Sequence, residues 1–79
     1  MNLIGKYVYY VCPYVFTIEI VYIEFYSEED KCYIEESGGY IRKDCCFESL
    51  DLAKKYALNL LISFYKKKSK EIKEFNNAK

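Results

Sequence analysis

The chain has 79 residues, of which 52% are hydrophobic, and its 12 basic and 12 acidic side chains leave a net charge of zero. A chain of this length forms one domain with a modest core, so we predict a single domain over residues 1–79. The sequence contains no histidine, which removes the commonest general base and the usual activator of a nucleophilic cysteine. The composition therefore argues against an enzyme.

The sequence carries no sign of a membrane segment or a secretion signal. The longest uncharged run covers residues 7–18 and contains Pro13, so it is too short and too polar to span a membrane. The N-terminus lacks the basic region and the continuous apolar segment of a signal peptide. We therefore expect a cytoplasmic protein.

Charge is divided unevenly between the two halves of the chain. Residues 1–48 hold four basic and nine acidic side chains, whereas residues 49–79 hold eight basic and three acidic ones. An acidic first half and a basic second half attract each other, and they also leave two faces of opposite sign for partners.

Four segments rich in tyrosine, valine and isoleucine predict β-strands. They are residues 6–12, 14–26, 31–36 and 40–43, the last being a short fourth strand or an extension of the third. Pro13 ends the first strand because proline lacks the amide hydrogen that a sheet ladder needs. Short turns at 27–30 and 37–39 predict an antiparallel β-meander of three to four strands over residues 1–48.

The alternation of apolar and polar residues in the second strand changes phase. Apolar residues alternate up to Tyr22 and then continue on the opposite phase from Ile23. One explanation is a β-bulge near Val21 and Tyr22, which would restore a single wet face. The other is that both faces are covered, one of them by a second copy of the chain.

Residues 49–76 predict one long helix, with residues 77–79 as a tail. Apolar residues recur every three or four positions on one face, namely Leu50, Ala53, Ala57, Leu60, Leu61 and Phe64. Ser49 can cap the N-terminus, because its hydroxyl can accept a hydrogen bond from an amide of the first turn. We therefore predict an α+β fold in which one long C-terminal helix packs across an antiparallel β-meander.

A second apolar strip lies on a flank of this helix and consists of Leu58, Ile62 and Tyr65. Two explanations stay open. A wide sheet covers both the main face and this strip, or the strip is a surface for a partner or for a homodimer.

The cysteines do not predict a metal site. Cys12, Cys32, Cys45 and Cys46 lack both the C-x-x-C spacing and the histidine partners of a zinc site. Without an export signal we expect reduced thiols that fill small apolar gaps. The acidic clusters also lack the spacing of a calcium loop, so no cofactor is predicted.

The surplus of tyrosine points to binding of another protein. Ten tyrosines exceed what so small a core can bury, and exposed tyrosine is favoured at protein interfaces. The candidate partner-binding residues are Glu19, Glu24, Glu28, Glu29, Asp30, Tyr33 and Glu35. Such a surface would fit a basic groove by imitating a nucleic-acid backbone. The simpler explanation is that the tyrosines only pad the sheet.

The lysine-rich helix offers an alternative function, which is nucleic-acid binding. The candidate basic face consists of Lys55, Lys66, Lys67, Lys70 and Lys73. Against it, the sheet that carries most of the tyrosines is acidic, whereas base stacking on a sheet needs positive charge around the aromatic rings. A third alternative is a homodimeric structural or interaction protein.

Two adjoining motifs, YIRKD at residues 40–44 and FESLDLA at residues 47–53, mark a strand that leads into a capped helix. This join is similar to one found in small proteins encoded by phages and mobile elements of low-GC Gram-positive and related bacteria. The resemblance implies an inhibitor of a defence or nucleic-acid-processing complex, as anti-CRISPR proteins are, in the cytoplasm of a bacterial host. Our expectation is a non-catalytic protein-binding module of this type.

Overall fold

The structure, a computed structural model, describes residues 2–77 and consists of a small sheet followed by one long helix. Its elements are β1 (Tyr7–Val11), β2 (Ile18–Ser27), β3 (Cys32–Glu35), β4 (Tyr40–Ile41), a 3₁₀ turn (Lys43–Cys45), β5 (Cys46–Phe47) and α1 (Leu50–Asn77). Asn77, which the sequence placed in the tail, belongs to the helix, and the remaining tail residues lie outside the described part. No helix in the described part of the chain combines the length and the apolar character that a membrane span requires.

The α+β class is confirmed, with five antiparallel strands in the order β4-β3-β2-β1-β5. The prediction of three to four strands missed β5, in which Cys46 and Phe47 pair with Tyr10 and Tyr9 of β1. Two residues give no alternation to detect, so the sequence indicated only a lead into the helix. Without β5, however, β1 would be the edge of the sheet beneath the helix.

The second strand starts four residues later than predicted, because residues 13–17 turn the chain before β2 begins at Ile18. The amide of Phe16 donates to the Cys12 carbonyl at 2.9 Å, which closes the turn. Phe16 adopts a φ of 62°, which is uncommon for a residue other than glycine. Its ring packs edge-on against Phe64 of α1, with centroids 5.4 Å apart. The turn therefore extends the contact between sheet and helix.

The predicted bulge in β2 is present, but it lies about two residues further along. The β2–β3 register shifts between Ile23 and Phe25, so Glu24 is the extra residue. Before the shift Val21 and Ile23 face the core, and after it Tyr26 does. The change of phase in the sequence thus has its physical cause in one inserted residue.

Two hydrophobic clusters lie on opposite faces of the sheet. The first, the sheet core, consists of Leu3, Val8, Val21, Ile23, Tyr33, Ile41 and Cys46. The second, the helix core, is built by Val11, Ala53 and Ala57 and is bordered by Tyr9, Ile18, Phe47, Tyr56 and Leu60. Val8 and Val11 are three positions apart in β1, so their side chains point to opposite faces. This short strand therefore joins the two clusters.

The helix begins as predicted but is covered over only part of its length. The Ser49 hydroxyl accepts a hydrogen bond from the Leu52 amide at 3.4 Å. Ala53 and Ala57 are buried, whereas Leu50, Leu61 and Phe64 of the predicted face remain exposed. A helix of 28 residues is about 42 Å long, and the strands beneath it are too short and too few to follow it. The expectation of one continuous buried face was therefore wrong at Leu50 and beyond Leu60.

Candidate protein-binding surfaces

The acidic turn at residues 27–31 joins β2 to β3 and contains two hydrogen bonds between Ser27 and Asp30. The Ser27 hydroxyl donates to the Asp30 carboxylate at 3.0 Å and accepts a hydrogen bond from the Asp30 amide at 3.1 Å. Glu28, Glu29 and Asp30 are all exposed. Three neighbouring carboxylates are thus presented on a turn with local hydrogen bonds rather than on a loose loop.

A shallow groove of about 510 Å³ lies at the base of this turn. Its walls are formed by Asn2, Ile4, Tyr26, Glu28, Tyr33 and Lys43. The rings of Tyr26 and Tyr33 meet edge to face with centroids 5.5 Å apart, and the Lys43 ammonium lies 5.5 Å from the centre of the Tyr26 ring. The groove therefore places an aromatic pair beside the acidic turn.

The structure corrects the expected role of Tyr33. Only 4% of this residue is exposed, because it packs in the sheet core between Tyr26 of β2 and Ile41 of β4. Tyr33 therefore forms part of the floor of the groove and does not project as a contact residue. Among the predicted contact residues, the fold brings Tyr33 close to the acidic turn, because Tyr33 and Glu28 of the turn line the same groove.

The other predicted acidic residues lie elsewhere on the molecule. Glu19 pairs with Tyr10 near the start of β2 and is nine residues from Glu28, or roughly 30 Å along an extended strand. Glu24 is the bulge residue, and the half-buried Glu35 packs close to Gly39. The length of β2 therefore separates Glu19 from the acidic turn, and the predicted contact residues do not form one continuous surface.

The basic face predicted on the helix lies beyond the sheet for most of its length. We call residues 61–75 of α1 the helix arm, in which every side chain is exposed except that of the half-buried Ser69. The predicted residues Lys55, Lys66, Lys67, Lys70 and Lys73 are all exposed. In helical geometry four of them fall within about 60° of one another, and Lys67 lies about 100° away. Lys70 pairs with Glu74 at 3.9 Å, which contributes only a few tenths of a kcal/mol at an exposed site.

The strip of Leu58, Ile62 and Tyr65 is not covered by the sheet. These side chains are 58%, 50% and 71% exposed. Leu58 borders a shallow groove with Ile18 of β2, but none of the three side chains is buried against the sheet. The explanation that one wide sheet covers both strips is therefore wrong.

The buried cysteines Cys45 and Cys46 are arranged as core residues. The Cys46 thiol donates to the Arg42 carbonyl at 3.4 Å, and the Cys45 sulfur lies 3.7 Å from the Tyr56 hydroxyl. Burial raises the pKa of the Cys45 thiol, and burial together with the neighbouring Cys45 and Asp44 raises the pKa of Cys46 to about 12. Both are protonated at neutral pH and are poor nucleophiles. Among the described residues, no three potential ligands are grouped as a metal site requires.

This arrangement predicts selective labelling of the four thiols, all of which are free. A short pulse of a maleimide at pH 8 should modify the half-exposed Cys12 first, whereas all four cysteines should react after unfolding. Because the pKa of Cys46 is raised from about 9 to about 12, its contribution to stability is complete below pH 9 and is lost as the pH rises towards 12. Mass spectrometry of peptides gives the order of reaction. Equal rates of maleimide labelling for Cys46 and Cys12 in the folded protein would contradict the assignment of Cys46 to the buried core.

Comparison of the chain with protein-family models, with curated proteins and with solved structures found no match. Its class is therefore defined by its own fold and surfaces. It is a small α+β protein with a five-stranded antiparallel sheet and one long C-terminal helix that extends beyond the sheet.

Proposed function

We propose that this protein is a non-catalytic protein-binding module that engages its partner through the acidic turn and the adjoining groove. The observation that carries the proposal is the pair of hydrogen bonds between Ser27 and Asp30, which orders the turn that carries three exposed carboxylates, one of them that of Glu28 beside the rings of Tyr26 and Tyr33. A surface that is already ordered loses less conformational entropy when it binds. The turn and the groove therefore form a better docking site than a mobile acidic loop would.

The chemistry of the turn indicates a basic partner surface. Glu28, Glu29 and Asp30 place three negative charges next to one another, in a half of the chain that carries nine acidic and four basic side chains. Complementary charge accelerates association and disfavours wrong partners. At a finer level, we propose a bacterial cytoplasmic inhibitor that occupies the nucleic-acid groove of a defence or nucleic-acid-processing complex. The resemblance at residues 40–53 supports this finer proposal.

The test is affinity capture of the tagged protein from a bacterial host lysate, with and without nuclease, read by mass spectrometry. We expect one protein complex to be retained after nuclease treatment. The triple variant Glu28→Lys, Glu29→Lys, Asp30→Lys should lose that complex, because it reverses the charge of the turn and also removes the hydrogen bond from the Ser27 hydroxyl to the Asp30 carboxylate.

A matched control separates the turn from the effect of total charge. The variant Glu19→Lys, Glu36→Lys, Glu71→Lys makes the same change of net charge at three exposed sites outside the turn. It should keep the captured complex. If this control loses the complex as fully as the turn variant does, the acidic turn is not the binding site.

A second candidate function is nucleic-acid binding by the helix arm. The observation that favours it is the exposure of Lys66, Lys67, Lys68, Lys70 and Lys73 on one projecting segment. Its signature is a steep fall in affinity with salt, because each phosphate contact releases counterions. Recovery that disappears with nuclease, together with a gel-retardation shift at low salt, would replace the first proposal with this one.

A further inference from the structure

The segment from Leu58 to Phe75 of α1 carries large apolar side chains that remain exposed. Seven such residues between positions 58 and 75 are 46–71% exposed, namely Leu58, Leu61, Ile62, Phe64, Tyr65, Ile72 and Phe75. Single exposed apolar residues are normal on a protein surface, but a regular row of them marks a contact surface.

Six positions of this segment repeat with alternating steps of three and four residues. We call them the seam, and they are Leu58, Leu61, Tyr65, Lys68, Ile72 and Phe75. They fall within about 100° of the helix circumference and extend over roughly 27 Å. Steps of three and four are the spacing with which one helix packs along another, because each side chain then fits between residues of the facing helix.

Two shallow grooves lie on the seam. One, of about 330 Å³, is bordered by Ile18 of β2 and by Lys54, Ala57, Leu58 and Leu61 of α1. The other, also of about 330 Å³, lies near the C-terminal end and is bordered by Tyr65, Lys68, Ser69, Ile72 and Lys73. The first groove is apolar except for Lys54, so its natural occupant is a large apolar side chain.

We propose that a second copy of this chain binds along the seam, with the two helices antiparallel. In this register Leu58 faces the second copy's Phe75, Leu61 faces its Ile72, and Tyr65 faces its Lys68. Each pair occurs twice about a two-fold axis that passes between Tyr65 and Lys68, so one surface is complementary to itself. The second copy's Phe75 then enters the apolar groove beside Leu58.

Charge identifies both the occupant and its direction. A parallel pair would place Lys68 against its own copy and would bring the two lysine-rich helix ends side by side. The antiparallel pair instead sets Lys68 on the ring of Tyr65, a contact of the kind that Lys68 already makes with Phe64 at 5.7 Å. It also moves the basic end of each helix towards the acidic half of the other copy.

The contact uses a different surface from the acidic turn, so it can fail or hold independently of the proposed function. Lys68 lies near the middle of the apolar face, and this argues against a membrane surface as the occupant, because its ammonium would have to enter the acyl region or bend away from it. Opposite a tyrosine of a second helix, the same lysine is an ordinary interfacial residue.

The test is the mass in solution, measured by light scattering or sedimentation from 5 to 200 µM. We expect the wild-type chain to approach twice its 9.5 kDa mass as concentration rises. Tyr65→Lys places four amines at the centre of the pair, and we expect it to raise the dimer dissociation constant by at least about 100-fold. Tyr65→Glu should remain a dimer, because the new carboxylate faces the second copy's Lys68.

The Tyr65→Glu variant also tests the direction of the helices, because in a parallel pair it would bring two carboxylates together. As a control, Tyr14→Lys alters a residue that is 84% exposed and lies outside the seam, so it should not change the mass. Thiol protection of Cys46 reports whether each variant keeps its fold.

Three outcomes would overturn the inference. If the wild-type chain stays monomeric at 200 µM, a second copy does not bind the seam. Adsorption of that monomer to anionic phosphatidylcholine–phosphatidylserine vesicles would then assign the seam to a membrane surface. If Tyr65→Lys does not weaken the dimer, then the dimer interface lies on a surface other than the seam. Dissociation by Tyr65→Glu as complete as that by Tyr65→Lys rejects the antiparallel register.

Discussion

Replacing Ile23 by alanine should destabilise the protein by about 2–5 kcal/mol, because it removes a fully buried side chain from the centre of the sheet core. Ile23 is the last residue before the bulge in β2, and its amide and carbonyl bond to Lys6 and Gly5 of the N-terminal segment. A cavity at Ile23 would border residues of the sheet core from several strands, among them Val8 of β1 and Tyr33 of β3. A domain of this size has a total stability near the lower end of about 5–15 kcal/mol, so a loss at the upper end of the expected range would leave the variant partly unfolded at 25 °C.

Urea denaturation followed by far-ultraviolet circular dichroism measures this change in the free energy of unfolding. The matched control is Ile20→Ala, which removes the same atoms from the same strand at a position that is 67% exposed. We expect the control to lose less than about 1 kcal/mol. Similar losses in the two variants would mean that the face of β2 has been assigned the wrong way round.

Local signals in the sequence predicted the parts of the fold that depend on neighbouring residues. Pro13 marked the end of the first strand, and Ser49 marked the first turn of the helix. The change of alternation in β2 indicated a bulge because one inserted residue moves every later side chain to the other face. These features need no knowledge of what lies across the sheet.

The parts that depend on distant residues were not predictable in the same way. β5 exists only because Cys46 and Phe47 find partners in β1, which is more than thirty residues earlier in the chain. The alternation of Tyr33 with Ile34 in the sequence predicts that their side chains lie on opposite faces and that Tyr33 is exposed. β3 lies between β2 and β4, however, and both residues are buried. Sequence alone did not show which strand is internal.

The same reasoning explains the candidate sites. Glu28, Glu29 and Asp30 are adjacent in sequence, so the sequence alone predicts that they cluster. The hydrogen bonds between Ser27 and Asp30 are visible only in the structure. Glu19 belonged to the predicted set by charge alone, and the length of β2 separates it from the turn. The sequence predicts that the sheet covers the apolar residues of the helix. The sheet is too narrow to do so, and the seam lies in the segment that it leaves exposed.

Replacing Ala53 by glutamate is the second change for which we expect a large effect, because it places a charged side chain where the helix meets the sheet. Ala53 and Val11 are both fully buried in the helix core. A carboxylate at this contact must either be buried without a partner or force the helix away from β1, which costs about 3 kcal/mol or more. The helix forms only when it is docked, so its circular dichroism signal at 222 nm should fall together with the melting temperature.

The control introduces the same residue one position earlier. Leu52 is largely exposed, and Leu52→Glu would complete a Ser-x-x-Glu capping box with Ser49, so its effect should stay within about 1 kcal/mol. If Ala53→Glu melts at the same temperature as Leu52→Glu, then the contact of Ala53 with Val11 does not hold the helix. In that case the helix arm would owe its order to the second copy of the chain, and melting would depend on protein concentration. If only Ala53→Glu loses its helix, docking on β1 organises the whole of α1, and the arm extends from that anchor as a preformed surface for association.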